Sequence, residues 1–181
     1  MAQSVELVLD PVAEAALIAE WDRLAAEGLP SMRRPQPDEH HRPHVTLYAA
    51  SRITPEADAR LPDLFAELAL ELRVGPLTIF GPRAGSCILV RSVVPSAGLL
   101  ALQRDVARVC GADSAGQFGA GRWTPHLTLA RRIRTAQVGA AVEALSSPAE
   151  RGGSVDELGS TVRRCRRWDG DRKTAWWLTR P

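Results

Sequence analysis

Lysine is almost missing from this chain. Lys173 stands alone beside 22 arginines, and the 23 basic side chains barely outnumber the 21 acidic ones. A net charge of +2 excludes a polybasic nucleic-acid coat and an acidic disordered tail, but it leaves room for a local basic groove. The arginine skew itself reads as the amino-acid bias of a GC-rich genome. Cysteine is also sparse. Cys87, Cys110 and Cys165 are odd in number and far apart, and no CxxC pair occurs. Neither a disulfide framework nor a zinc ribbon is indicated, so a reducing, cytoplasmic location is expected. The N-terminus has no basic start followed by an apolar stretch, so no signal peptide is expected. Nowhere do about 18 apolar residues run together, so no membrane span and no membrane partner are expected. Collagen, coiled coil and long disordered arrays are excluded as well.

What remains is a chain of 181 residues, 45% of them hydrophobic. That length fits one domain over residues 1–181, built as two lobes sharing a core. It can bury roughly 70% of its unfolded surface without a disulfide or metal. Nothing in the sequence demands a dimer, so a monomer is expected.

Alternation and turn residues predict strands over residues 4–9, 44–49, 70–74, 77–80, 86–94, 126–130, 154–168 and 173–179. Helical spacing predicts helices over 12–27, 56–69, 96–110 and 135–146. Asp10-Pro11, Thr54-Pro55 and Pro95-Ser96 supply helix starts. Gly75-Pro76 predicts a turn, and Gly81-Pro82-Arg83-Ala84-Gly85 a hairpin loop. Residues 29–43 and 111–121 read as polar, Pro- and Gly-rich loops. Strands and helices mix without strict alternation, which predicts an α+β fold. Each half of the chain also holds a strand, a helix, a Gly/Pro-rich loop and a Pro-His strand.

Those two Pro-His strands carry the chemistry. The chain has only four histidines. Two of them sit in matching pentads, Pro43-His44-Val45-Thr46-Leu47 and Pro125-His126-Leu127-Thr128-Leu129. Given the chain's own composition, the chance of this repetition is on the order of one in a million. Residues two apart on a strand share a face at about 6.6–6.8 Å, so His44 stands beside Thr46, and His126 beside Thr128. Val45, Leu47, Leu127 and Leu129 point into the core. If the two strands are neighbours, two imidazoles and two hydroxyls converge on one phosphate. One neutral imidazole can take a proton from water or a ribose hydroxyl, and one protonated imidazole can give a proton to the leaving oxygen. The threonine hydroxyls can hold the non-bridging oxygens. No metal and no other cofactor is required.

The two H-x-T-L motifs, the helix before the first, the hairpin near 77–94, the Trp-Thr-Pro-His-Leu-Thr-Leu-Ala-Arg run and the final strand pair resemble the 2H phosphoesterase superfamily. Within it they resemble the 2′-5′ RNA ligase-like and RNA 2′,3′-cyclic phosphodiesterase proteins. The resemblance covers nearly the whole chain. It implies a bilobal α+β fold, with two pseudo-symmetric antiparallel-sheet lobes, helices outside and a central cleft. It implies that His44 and His126 are catalytic, with Thr46 and Thr128 binding phosphate, and it adds Arg131 five residues after the second histidine. Strict alternation from His126 favours Arg132 instead, unless a bulge intervenes. The expected substrates are 2′,3′-cyclic phosphates on RNA ends or nucleotides, and the reverse reaction would join a 5′-hydroxyl end through a 2′-5′ linkage. The alternatives are a nucleotide- or RNA-binding module with little turnover, or a hydrolase of a small non-RNA cyclic phosphodiester. The first strand, Val-Glu-Leu-Val-Leu, departs from the commonest bacterial ligase-like opening, which is Phe-rich.

Further candidates have weaker signals. Tyr48 continues the face of His44 and Thr46 and is placed to stack on a base or bond a phosphate. Phe80 and Trp123 are candidate base platforms, against the commoner reading of aromatics as core. Arg122 precedes the second motif as Arg42 precedes the first, and either can neutralise phosphate; surface is the expectation for Arg42. The run Arg163-Arg164-Cys165-Arg166-Arg167 has the composition of a nucleic-acid patch, but on a strand its four arginines split between two faces. His40, His41 and His44, with Asp38 and Glu39 beside them, have poor spacing for a metal.

Overall fold

The computed structural model describes residues 2–36, 40–113, 116–146 and 158–179. Strands β1 (Gln3–Val8), β2 (His44–Ala50), β3 (Leu70–Arg83), β4 (Ser86–Val93), β5 (His126–Arg134), β6 (Gly159–Val162), β7 (Arg164–Asp169) and β8 (Thr174–Trp177) form one eight-stranded antiparallel sheet. Its order is β6-β3-β4-β5-β2-β1-β7-β8. The helices are α1 (Pro11–Ala26), α2 (Pro55–Leu64), α3 (Ala97–Val109) and α4 (Val138–Ser146), with a 3-10 turn at Thr135–Gln137. The α+β expectation holds. Among the described residues, no helix is long and apolar enough to cross a membrane.

The sheet is two halves meeting at a thin seam. β2 and β5 touch through one paired position, Val45 with Leu127. On one side lie β2, β1, β7 and β8, and on the other β5, β4, β3 and β6, so each H-x-T-L strand is the innermost of its half. Helices bridge the seam: α1 packs on β5 and α3 packs on β2. Side chains also bond carbonyls of both seam strands. The Trp21 indole donates to the Thr128 carbonyl at 3.0 Å, and the Trp123 indole to the Thr46 carbonyl at 3.0 Å. Beneath the seam, Val45, Leu47, Leu127 and Leu129 are buried with Leu17 and Leu24 of α1 and Leu99 and Val106 of α3.

The helices start where side chains can accept the free backbone N–H groups of the first turn. Asp10 accepts from Val12 and Ala13, Thr54 from Ala57, and Ser96 from Leu99. Asp10 also accepts from the Thr161 amide at 3.0 Å, which ties the start of α1 to β6. α2 is shorter than the 56–69 expected. Pro62 sits inside its last turn, and the helix closes at Phe65, whose amide donates to the Pro62 carbonyl.

Gly75-Pro76 makes no turn. β3 runs through it as one strand, with a register shift between Val74 and Leu77. A side chain at Gly75 would put a Cβ 2.5 Å from Ser92 Oγ, so glycine answers a close approach to β4. The hairpin loop is likewise tighter than expected, because β3 reaches Arg83 and the chain turns at Ala84 and Gly85. The strand expected over 154–168 is two strands parted at Arg163, one pairing with β3 and the other with β1. Residues 154–157 of that expectation lie outside the described residues.

Candidate active site

The single pairing at the seam organises the site. With Val45 opposite Leu127 in an antiparallel pair, His44 falls beside Thr128, and Thr46 beside His126, all on the face away from the core. Each imidazole is oriented in the same way. His44 Nδ1 lies 2.8 Å from the Arg42 carbonyl, and His126 Nδ1 lies 2.8 Å from the Thr124 carbonyl. A carbonyl only accepts, so Nδ1 carries the hydrogen in both rings and Nε2 is left to exchange protons. The prolines between each carbonyl and its histidine keep the preceding residue extended, which aims that carbonyl back at the ring.

Both strands then bulge at the leucine after the threonine. Opposite Val5 and Glu6 of β1, β2 runs Thr46, Leu47, Tyr48, and opposite Leu89 and Val90 of β4, β5 runs Thr128, Leu129, Ala130. An extra residue reverses the alternation downstream. Tyr48 therefore leaves the histidine face. It is buried, with its ring 5.5 Å from Phe118, and burial, aided by Cys110, pushes its hydroxyl pKa up. Ala49 takes its place on the cavity wall. The matching shift on β5 buries Ala130 and brings Arg131 onto the cavity wall. Arg132, which strict alternation favoured, is not on that wall; it sits at a second irregularity with a left-handed φ of 61°.

The cavity has a volume of about 340 Å³, and His44, Thr46, Thr128 and Arg131 line it with Glu6, Arg42 and Arg166. His44 keeps 31% of its side chain exposed, so the crevice is open to solvent. His126 lies just beyond the lining, with Phe80 edge-on to its ring at 4.9 Å. Burial lowers the His126 pKa below the ordinary 6.5, and the neighbouring charges of His44 and Arg131 lower it further, against the Thr124 carbonyl.

His44 has a different neighbour. Its Nε2 lies 3.5 Å from Glu6 Oε1, a partner for the protonated ring. Glu6 is held from behind: Ser4 Oγ donates to Oε1 at 2.6 Å, and Arg166 reaches Oε2 at 2.7 Å. Burial alone would raise the Glu6 pKa, but His44, Arg166 and Ser4 together hold it below the usual carboxylate range. Glu6 and Ser4 escaped the motif reading, and Arg166 entered it only as one member of the arginine run. The signal available was two polar residues alternating with Val5, Leu7 in a strand whose every residue is buried.

The other candidates are dispersed. Trp123 bonds the Thr46 carbonyl and lines a separate cavity with Pro76 and Ser92. Arg122 is exposed and lines neither that cavity nor the one that His44 lines. Phe80 reaches the site only through His126. Arg42 lines the cavity, but its guanidinium also grips Glu14 at 2.6 Å. The arginine run splits by face: Arg166 bonds Glu6, while Arg167 is buried against Asp58 and Gln3. His41 bonds the Met32 carbonyl, and His40 lies 6.0 Å from Trp168. Among the described residues, no three His, Cys, Asp or Glu side chains gather as a metal site would require; Asp38 and Glu39 lie outside them.

The fold and the paired histidine-threonine strands define a phosphoesterase-type α+β protein with its site on the seam between two sheet halves. The chain belongs to the 2′-5′ RNA ligase superfamily, a group of 2H phosphoesterases; the family model matches residues 10–167. Its fold is similar to that of Usb1 from Kluyveromyces marxianus (TM-score 0.60, 12% identity, 98% of this chain and 97% of that one). It is also similar to TT0787 of Thermus thermophilus (0.57, 19%, 98% and 95%) and to LigT of E. coli (0.54, 16%, 97% and 92%). Usb1 has also been solved with uridine monophosphate, and LigT with 3′-AMP. No curated protein matches the chain.

Proposed function

We propose that the protein is a metal-independent phosphodiesterase that opens 2′,3′-cyclic phosphates of RNA ends or nucleotides, with His126 as general base and His44 as general acid. The observation that carries this reading is the pair of seam histidines, each locked by a backbone carbonyl so that only Nε2 can exchange a proton. His126 Nε2 takes a proton from water, and the water oxygen bonds to phosphorus. The bond from phosphorus to one ribose oxygen breaks, and His44 gives that oxygen its proton. Thr46 and Thr128 donate to the non-bridging oxygens, and the Arg131 guanidinium balances the charge that builds there. With a 5′-hydroxyl of RNA in place of water, the same groups run 2′-5′ joining.

The assignment of roles rests on asymmetry. His126 has its proton affinity lowered by burial and by neighbouring charge, which suits a base that must be neutral. His44 has a carboxylate beside its Nε2, which suits an acid that must be charged. Family membership and the nucleotides bound to Usb1 and LigT support a nucleotide or RNA substrate. The test is a panel of cyclic phosphates (nucleoside 2′,3′-cyclic phosphates, an RNA ending in one, and an ADP-ribose cyclic phosphate) with product analysis and an EDTA control. Turnover of the nucleoside or RNA substrates, unchanged by EDTA, is expected. Tight binding of a nucleoside 2′-phosphate with no product from any substrate would mark a binding module instead.

A further inference from the structure

The catalytic cavity does not end at Arg166. A second cavity, of about 320 Å³, shares His40, Arg42 and Arg166 with it and continues across the last two strands to Arg164, Trp176 and Trp177. Strand alternation puts Arg164, Arg166 and Trp168 of β7 on one face, and Trp177 is the cross-strand partner of Arg166. The Arg164 guanidinium carbon lies over the Trp177 ring, 3.5 Å from its centre. Trp177 is 41% exposed and Trp176 is 38% exposed, large indole surfaces to leave in water at a sheet edge.

We propose that this shelf is a second nucleotide subsite. It takes the nucleoside on the 5′ side of the reacting end, with its base stacked on Trp177 and the connecting phosphodiester on Arg164. The inference rests on the cyclic phosphodiesterase reading and adds to it that the preferred substrate is an RNA strand of at least two nucleotides. Two features select this occupant. The shelf opens into the cavity that His44 lines, and a strand whose 3′ end carries the reacting cyclic phosphate can continue only on its 5′ side. The surface also pairs a π-face with a fixed cation, which fits a base and its phosphate, whereas an apolar protein surface gains nothing from a guanidinium on the indole. Both cavities are of ligand size, so one nucleotide in each is sterically reasonable.

The experiment compares kcat/KM for uridine 2′,3′-cyclic phosphate with that for a uridine trinucleotide ending in the same cyclic phosphate. The trinucleotide is expected to be favoured by roughly tenfold or more. Trp177→Ala and Arg164→Ala should remove that preference and leave the mononucleotide rate within about twofold, while Trp177→Phe keeps most of it. Equal efficiency on both substrates, unmoved by these variants, overturns the proposal. Light scattering runs alongside: a dimer that Trp177→Ala dissociates, with no change on the trinucleotide, would assign the shelf to a second copy instead. If neither substrate turns over, the phosphodiesterase reading fails separately. The shelf is then judged by fluorescence titration of the protein with a 3′-phosphorylated trinucleotide, which must bind the parent more tightly than it binds Trp177→Ala or Arg164→Ala; equal affinity for all three overturns the proposal.

Discussion

At His126, burial and two positive neighbours weaken the hold on the proton, and only the Thr124 carbonyl strengthens it. A lowered pKa means that the neutral, proton-accepting ring persists to lower pH. The rising limb of the rate profile is therefore expected at a midpoint below 6.5. Burial is the largest influence, and Phe80 supplies part of the cover. Phe80→Ala should move that midpoint upward toward the ordinary imidazole value, which a pH series of kcat/KM will show. On the other ring, Glu6→Gln removes the carboxylate beside Nε2 and should lower kcat several-fold with little change in KM, as expected for an interaction that matters in the transition state. The two histidines and two threonines were legible in the sequence because the motif is contiguous and repeated. Glu6 was not, because its meaning comes from Arg166, 160 positions away, and from β1 lying between β2 and β7.

At the scale of the strand, the bulges decide which side chains serve the site. Period-two alternation places His44 with Thr46, and His126 with Thr128, and it fails one residue later on both strands. A bulge leaves no mark on the hydrophobic pattern, since Leu47 and Leu129 are as apolar as an unbulged core position requires. That is why Tyr48 read as a cleft residue and Ala49 did not. Arg131→Ala should raise KM for a cyclic nucleotide at least tenfold, whereas Arg132→Ala should change it little. Arg132 carries a cost of its own, because a left-handed φ in a residue with a Cβ is unfavourable by about 1–2 kcal/mol. Arg132→Gly should relieve part of that and raise Tm by a few degrees in a thermal scan. The Gly75-Pro76 bulge misled in the same way, because glycine and proline signal a turn equally well when the real reason is a neighbouring strand pressing close.

At the scale of the molecule, the site exists only while the two sheet halves keep their alignment, for one strand pairing joins them. A buried ion pair pins them from the helix side: Arg91 of β4 meets Glu20 of α1 at 2.6 Å, with the Glu20 side chain fully buried. Glu20→Ala removes a buried carboxylate that the Arg91 guanidinium bonds and should cost ~3–5 kcal/mol in a denaturant titration, far more than a surface pair. Stability should also fall in acid. Glu6 and Asp10 have pKa values below their ordinary 4.5 and 3.8. Folding is thus favoured while they are ionised, and the contribution is lost as pH drops through those values. The α+β class was readable from element order, and the cleft followed only from the family resemblance. The bridging helices, the Glu20–Arg91 pin and the thin seam were not readable, because they depend on which half each helix packs against.

The most direct measurement is steady-state hydrolysis of a nucleoside 2′,3′-cyclic phosphate by the parent protein, His44→Ala and His126→Ala, with folding of each checked by circular dichroism. Loss of each imidazole is expected to slow turnover by roughly 10²–10⁴-fold while the fold is retained. Folded variants that hydrolyse the substrate as fast as the parent would contradict the two-histidine account.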